Sequence, residues 1–547
     1  LDFAADGERF FTMANGSHLR HVVLPESVLA EARFGDARSW REIVDHDRVA
    51  RISRAERAVY RQIDFVGGFT AASGCLIYDG GTWPAEYRGN HFVSEPTVNL
   101  VHRDVIEPAG VSYVAKRARE AEFLASEHLW FRPVHARVGP DGDLYVLDFA
   151  NQAAVHNDTR GPEHGPTNAA VRPDRDHLHG RVWRVRHEGA EPLAVPELAG
   201  APAVERVAAL RHPNGWVRAT AQRLLVEDPA FEGTDRALEA LFLNPGPAKV
   251  HALWIAHQKG ETSERLLDLG LADEDPAVRK NAARIAGLQP IAAGARSRLA
   301  ALLQDRDRRV RLEAIVAVGA LLKRSRALGD PRDVLDTSDL RKDLALLWPE
   351  LDDDAERSAL LAALPADSGS LSAALWPEKG GLQPPPTREL LGGLGPLVVE
   401  LVERIGRTGD RSEVAWTLWA LSAGAPHSSV SRPTAEALRR LEPVTRSVSF
   451  DGYAEAWEQV TPPLTAWLRS EDVELALAAL PLATRWGSGP ELAEAIDGLG
   501  ARVLAVLGDL DRPGRERLAA LETLLALPEQ RAAAVAEIGR ASCRERV

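Results

Sequence analysis

The sequence predicts a multidomain β + α protein. A propeller-like set of short sheets covers residues 1–190, and an α-helical solenoid covers 203–536. Three observations predict it. Short alternating apolar runs bounded by Gly, Pro, Asp and Asn, such as Phe10–Met13, Leu76–Tyr78, Phe92–Ser94 and Leu144–Leu147, crowd the first part of the chain. A weak repeat runs through them: GERFFTMANG from Gly7, GNHFVSEPTV from Gly89 and GDLYVLDFAN from Gly142. After about Ala201 the alternation gives way to amphipathic helical segments recurring at near-constant spacing.

In the β region each repeat copy has a turn glycine, an apolar strand and a polar or acidic residue at the strand exit. The first copy runs on to HLRHVVLP and the second to NLVHRDVIEP, which reads as strand, tight turn and partner strand. Spacings of 82 and 53 residues suit propeller blades, with an insertion expected at Ser27–Arg61 in the wider gap; a sandwich is the alternative. Residues 156–179 form a long polar loop without periodicity. A Pro/Ala/Glu linker follows, over 191–202.

In the helical region Val217, Val250, Val278 and Val310 each open the second helix of a pair, 33, 28 and 32 residues apart. The position four residues on is Ala221, Trp254, Ala282 or Ala314, and arginines follow three of the valines (Arg218, Arg279, Arg311). The spacing and the D-x-x-V-R-x-x-A flavour resemble HEAT repeats, in which stacked helix pairs share one core. The resemblance is good over 203–322 and looser over 340–535, with LQPPP (382–386) and Gly424–His427 read as inter-repeat loops. Trp254, Trp416, Trp419, Trp457 and Trp467 are expected in the core.

Composition narrows the function classes. A net charge of −13 argues against a nucleic-acid or anionic-membrane surface. No apolar run reaches the ~20 residues of a membrane span. Cys75 and Cys543 provide neither a disulfide framework nor a CxxCH haem site, and Cys75, in a strand-like run, reads as a buried small hydrophobe. The chain opens at Leu1 inside a strand-like run, and its last eleven residues, EIGRASCRERV, resemble a translated sequencing adapter, so Glu537–Val547 are expected to be non-native.

ASGCLIYDGGTWPAEYRGNHFV, RPVHARVGPDGDLYVLD and GRVWRV together resemble the C-terminal half of the six-bladed propellers of quinoprotein sugar dehydrogenases, the soluble glucose and sorbosone dehydrogenase type. The longer forms WFRPV, EPTVNLVHRDV and VHNDTRGPEHGPTNAAVRPDRDHLHGRVWRV are more specifically similar to the membrane-bound dehydrogenase family abundant in Planctomycetes and Verrucomicrobia. There a propeller is followed by HEAT-like helices and often by a cytochrome c domain. The resemblance implies an extracytoplasmic, periplasmic-type protein that oxidises a sugar or polyol with pyrroloquinoline quinone and passes electrons to a cytochrome c. It also implies that the catalytic base lies in a propeller half absent from this chain, which leaves the fragment inactive. The rival readings are a non-catalytic propeller and solenoid scaffold binding protein or glycan, and a metal-dependent propeller hydrolase or lactonase.

The cofactor is a planar tricarboxylate, which calls for Arg forks and flat apolar surfaces. The candidates are Arg132 beside Trp130 and Phe131, Glu95 and Asn99 at a strand exit, His102 and Arg103 on the next strand, Asp148 at the exit of its strand, and His156 and Asn157 in the long loop. Thr97 stands where the resembled enzymes carry a cofactor-contacting lysine, which weakens the quinone reading. Asp141, Asp143 and Asp148 invite a calcium reading, but Asp141 and Gly142 are explained as the turn itself, and Asp143 and Asp148 lie at opposite ends of a strand, which leaves Asp148 as the site candidate. His156, Asp158, His164, Asp174, Asp176, His177 and His179 crowd one loop without metal-ligand spacing, which favours a solvated loop. Glu95 and Asn99 have a second reading, as residues that hold a turn by local hydrogen bonds.

Overall fold

A computed structural model describes residues 1–14, 16–46, 69–128, 130–151, 178–231, 235–260, 262–328, 333–376, 388–423, 431–450, 454–486, 489–509, 517–518 and 521. The chain falls into two compact units, Leu1–Leu321 with Asp353–Ala363, and Leu322–Asp352 with Leu364–Val547.

The first unit opens with three antiparallel sheets built from chain-adjacent strands. β1 (Asp2–Phe3), β2 (Arg9–Phe11), β3 (Arg20–Val22) and β4 (Trp40–Glu42) lie side by side in that order, with α1 (Glu26–Glu31) between the last two. β5 (Ser73–Ile77), β6 (His91–Glu95), β7 (Leu100–Ala109) and β8 (Ser112–Arg117) form the second sheet, and β9 (Leu124–Ala125) pairs with the start of β7. The third is β10 (Pro133–Val138), β11 (Leu144–Asp148) and β12 (Arg181–Val185). Each copy of the sequence repeat supplies one strand of a hairpin: β2 with β3, β6 with β7, β11 with β10. The expected insertion at Ser27–Arg61 is corrected in part. Trp40–Glu42 completes the first sheet, pairing Arg20 with Glu42 and Val22 with Trp40.

Period-two patterning explains the packing. Leu144 and Val146 on β11 face a core with Leu76, Phe92, Val101 and Ala136, while Leu147, the next residue along, is exposed. β6 is buried on both faces, because Phe92 enters that core and Val93 packs with Phe69 and Ala72 on the other side. Burying Phe92 alone is worth roughly 1.5–3 kcal/mol. Cys75 is buried beside Phe10, Leu19 and Ile77, as expected of a small hydrophobe. The G-P-D-G segment closes the β10–β11 hairpin: Gly142 donates its N–H to Gly139 and sits at φ 88°. A Cβ there would lie 2.5 Å from the Thr82 methyl, so glycine is required twice over.

The helices of this unit come in pairs: α2 (Ala203–Ala209) with α3 (Gly215–Glu227), α4 (Asp235–Glu239) with α5 (Ala248–Gln258), and α6 (Glu264–Leu271) with α7 (Pro276–Leu288). α8 (Ala293–Ala301) and α9 (Arg308–Leu328) follow. α2, α4, α6 and α8 pack in one row, and α3, α5 and α7 in another. Asn214 and Asp275 cap α3 and α7 by accepting Trp216 and Ala277 N–H, and Pro276 occupies the first turn. The repeat valines Val217, Val250, Val278 and Val310 are buried, as are Ala221, Ala282 and Ala314. Arg279 grips the Asp305 carboxylate with Nε and Nη2, at 2.7 and 2.9 Å, and so reaches the turn before the next repeat helix.

The helices also hold the sheets. Asn214 Nδ2 donates to the carbonyls of Gly139 and Pro140, so the HPNGW turn docks on the G-P-D-G turn. Arg218 pairs with Asp79. Lys280, 3% exposed, sits between Asp6 (3.0 Å) and Glu8, and Asn281 donates to the Asp6 carbonyl. Arg309 donates to the Tyr113 hydroxyl at 2.6 Å. Asp353, just before α11 (Asp354–Ala363), takes both terminal nitrogens of Arg41.

The second unit contains α10 (Asp333–Leu347), α12 (Ser368–Leu375), α13 (Arg388–Thr408), α14 (Arg411–Ala423), α15 (Ser431–Val444), α16 (Ala454–Leu468), α17 (Val473–Trp486) and α18 (Pro490–Gly508). Alternate helices stack, α13 on α15 on α17, and α12 on α14 on α16 on α18. Trp467 is a core residue, but Trp419 is corrected to a surface position, 45% exposed on α14. Trp416 and Trp254 are half-buried, the latter donating to Asn281 Oδ1, and the Trp457 side chain lies outside the described residues. So do the LQPPP and Gly424–His427 loops and Glu537–Val547. No described helix is long and apolar enough to cross a membrane.

Candidate functional site

Two buried polar centres flank the β6–β7 hairpin. The first gathers four of the residues singled out from sequence. Arg132, 2% exposed, precedes β10, and its backbone N–H donates to Asp148 Oδ1 at 2.8 Å. Its Nη1 donates to the Pro96 and Thr97 carbonyls and to Asn99 Oδ1, and its Nε donates to the Asn151 carbonyl. Asn99 ends the turn after β6 in the left-handed region, φ 59°, and donates to the Phe131 carbonyl at 2.5 Å. Glu95 accepts the N–H groups of Thr70, Ala71 and Thr97. Burial pushes its carboxyl upward against those donors. Asp148 Oδ1 also accepts Ala150 N–H and its Oδ2 accepts the Trp183 indole. Glu95, Asn99, Arg132 and Asp148 are therefore engaged in tying strand exits and turns together.

Asp141 accepts Asp143 N–H and the Tyr145 hydroxyl, the turn role expected of it, whereas Asp143 pairs with Arg184 on β12. Arg103 points away from the first centre and lies over the Tyr87 ring, 4.2 Å from its centroid. His156 and Asn157 lie outside the described residues, as do Asp158, His164, Asp174, Asp176 and His177; His179 is exposed.

His102 belongs to the second centre, which is built on Asp104. Both lie on β7 two residues apart and so share a face, and His91 on β6 is the cross-strand partner of Asp104. His18, before β3, and His46, after β4, complete the group from the first sheet. Asp104 Oδ1 meets Nε2 of His46 and of His102, each at 2.9 Å. Asp104 Oδ2 meets His18 Nε2 at 2.9 Å and His91 Nδ1 at 3.1 Å. One carboxylate thus serves four imidazoles. The Phe69 ring covers His18, 3.9 Å between centroids. Behind His102, its Nδ1 lies 2.6 Å from Glu122 Oε2, and Arg117 reaches the other Glu122 oxygen at 3.1 Å.

Asp104 is fully buried, and His18, His91 and His102 nearly so. Burial alone would raise the Asp104 carboxyl, but the imidazoles, His102 first, hold it well below the usual carboxylate range. Burial pulls His18 down to about 4, where it stays neutral at pH 7. Burial also opposes charge on His91 and His102, yet Asp104, joined by Cys75 at His91 and by Glu122 at His102, more than offsets it and pushes both up to about 9. Donor atoms of His18, His46, His102 and Asp104 lie within 4.8 Å of one another, so this set has the composition and convergence to hold a cation.

Sequence inspection found only His102 of this centre. His-x-Asp at 102–104 on a strand was the available signal, and the β6–β7 register would have added His91. Nothing in the spacing of His18 and His46 points to it.

A family model described as a domain of unknown function (DUF7133) matches residues 1–189, ending just past β12. No curated protein matches the chain. Among solved structures, that of Kap95p with RanGDP is 12% identical over 61% of this chain and 47% of that chain, with a TM-score of 0.31. The present chain thus spans about half the length of that one. A crystallised engineered protein is 18% identical over 54% of this chain and 97% of its own, with a TM-score of 0.20.

Proposed function

We propose that this chain is a binding scaffold, in which propeller-type blades are fused to HEAT-type helix pairs and the helix rows offer an extended face to a protein partner. Chain-adjacent antiparallel sheets support the blade reading. Two rows of alternate helices, buried repeat valines and the Arg279–Asp305 link support the HEAT reading.

The observation that carries the scaffold reading is Arg132. A quinone site needs an arginine fork turned to the ligand's carboxylates. Here the guanidinium is committed to three backbone carbonyls and the Asn99 amide oxygen. The role that suits it is a tie between turns.

The experiment is calorimetric titration with pyrroloquinoline quinone, with and without Ca²⁺, on this chain. The expected result is no saturable binding, together with a lowered melting temperature for Arg132→Met. Stoichiometric binding and sugar-dependent dye reduction, both lost in an Arg132→Met protein of unchanged stability, would overturn the scaffold reading in favour of the sugar or polyol dehydrogenase.

A further inference from the structure

We propose that His18, His46, His102 and Asp104 form a binding site for one divalent first-row transition ion of the Zn²⁺ class, which bridges the first two sheets.

The argument starts from donor chemistry. Three imidazoles and a carboxylate form a mixed N/O set that suits Zn²⁺ rather than Ca²⁺ or Mg²⁺, which take oxygen ligands. The available atoms are Nε2 of all three histidines and one Asp104 oxygen, within 4.8 Å of one another. Tetrahedral Zn²⁺ with bonds of about 2.0–2.1 Å sets its ligand atoms about 3.4 Å apart. Small side-chain rotations bring the group to that spacing.

The surroundings have the form of an outer shell. A ligating histidine characteristically gives its second ring N–H to a carboxylate, which fixes the tautomer. Glu122 stands 2.6 Å from His102 Nδ1 and is itself held by Arg117. His91 remains on Asp104 Oδ2 as the corresponding donor to the ligating carboxylate.

Protons balance. Asp104 and Glu122 bring two negative charges to the dication, and each also keeps a cationic partner, His91 on Asp104 and Arg117 on Glu122. In the ion-free form each Nε2 carries a hydrogen toward Asp104. On binding, a neutral ring moves that hydrogen to Nδ1 and turns the Nε2 lone pair to the metal, while a protonated ring releases one proton to solvent. No bond to carbon changes and no electron moves. Three of the four side chains are at most 2% exposed and His46 is 14% exposed, so all four positions around the ion are filled by protein. A closed four-ligand set is the mark of a structural rather than a catalytic ion.

The inference does not depend on the scaffold reading. The test uses the full chain, stripped with chelator and titrated with Co²⁺. The expected result is one equivalent bound, with the visible d–d absorption of a tetrahedral centre, displaced by Zn²⁺ and accompanied by a higher melting temperature. Glu122→Gln should weaken Co²⁺ about 10–100-fold while keeping the tetrahedral spectrum. His46→Asn, the change at the least buried ligand, should abolish the tetrahedral spectrum. If that variant does not fold, Zn X-ray absorption of the loaded wild type decides, with three imidazoles and one oxygen expected. Substoichiometric uptake by folded protein, an octahedral spectrum, fewer than three imidazoles in the absorption fit, or a folded His46→Asn protein that binds as wild type does, each overturns the proposal.

Discussion

Replacing Lys280 with methionine isolates the main tie between β1–β2 and the helices. Lys280 is 3% exposed and its ammonium lies between Asp6 and Glu8. Removing the cation leaves Glu8 buried. Breaking a buried pair from one side typically costs 3–5 kcal/mol. The low end applies, since His21 Nε2 remains 2.9 Å from Glu8 and Asp6 partly faces water. About 3 kcal/mol corresponds to roughly a 150-fold rise in local opening. Pairing Lys280→Met with Glu8→Gln removes both charges, and the double variant should lose only about 1 kcal/mol. Hydrogen exchange read by mass spectrometry over residues 276–288 and 5–11 measures this opening directly. A double variant whose cost equals the sum of the two single costs, within about 0.5 kcal/mol, would refute the coupling.

Three further outcomes are expected. Asn214→Asp keeps a good helix cap but turns a carboxylate to the Gly139 and Pro140 carbonyls, so it should cost at least as much as Asn214→Ala, about 2–3 kcal/mol by urea unfolding; a neutral Asp variant would remove the docking role. Gly319→Ala would set a Cβ 2.6 Å from the Ala363 Cα and should cost about 1–3 kcal/mol, whereas Gly498→Ala, with nothing within 4 Å, should gain up to about 1 kcal/mol in melting experiments. For pH, Lys280 and His21 hold Glu8 well below the usual carboxylate range despite its burial. A depressed folded value means the stabilisation is present above the unfolded value of about 4.3 and is lost as pH falls below it. Glu8→Gln should therefore flatten the acid limb of a stability profile.

Hairpins and helix pairs were legible because both are local. Turn glycines and period-two alternation mark β2–β3, β6–β7 and β10–β11, and the buried valines mark α3, α5, α7 and α9. The β6–β7 register was also within reach: the turn Pro96–Asn99 sets Glu95 opposite Leu100, and counting back sets His91 opposite Asp104. The rest of the histidine centre was not, because His18 and His46 arrive from another sheet through packing that no local pattern encodes. Arg132 illustrates the converse. Its position was found, but whether a guanidinium faces a ligand or four oxygens of its own chain depends on the path of distant turns. Trp419 was placed inside because amphipathic spacing fixes a stripe, and the stripe's edge is decided by the neighbouring helix.

The sheet-to-helix ties carry a consequence for how this chain can vary. In a free-standing solenoid each repeat touches only its neighbours, so whole repeats can be duplicated or deleted with little penalty. Here Asp79 meets Arg218, Asp6 and Glu8 meet Lys280, Tyr113 meets Arg309, and Arg41 meets Asp353. The sheets act as a ruler against which the first helix pairs are read. Adding or removing one pair between Arg218 and Arg309 would set every later mark against the wrong strand, so repeat number in this stretch is fixed by the β region and not by the helices themselves.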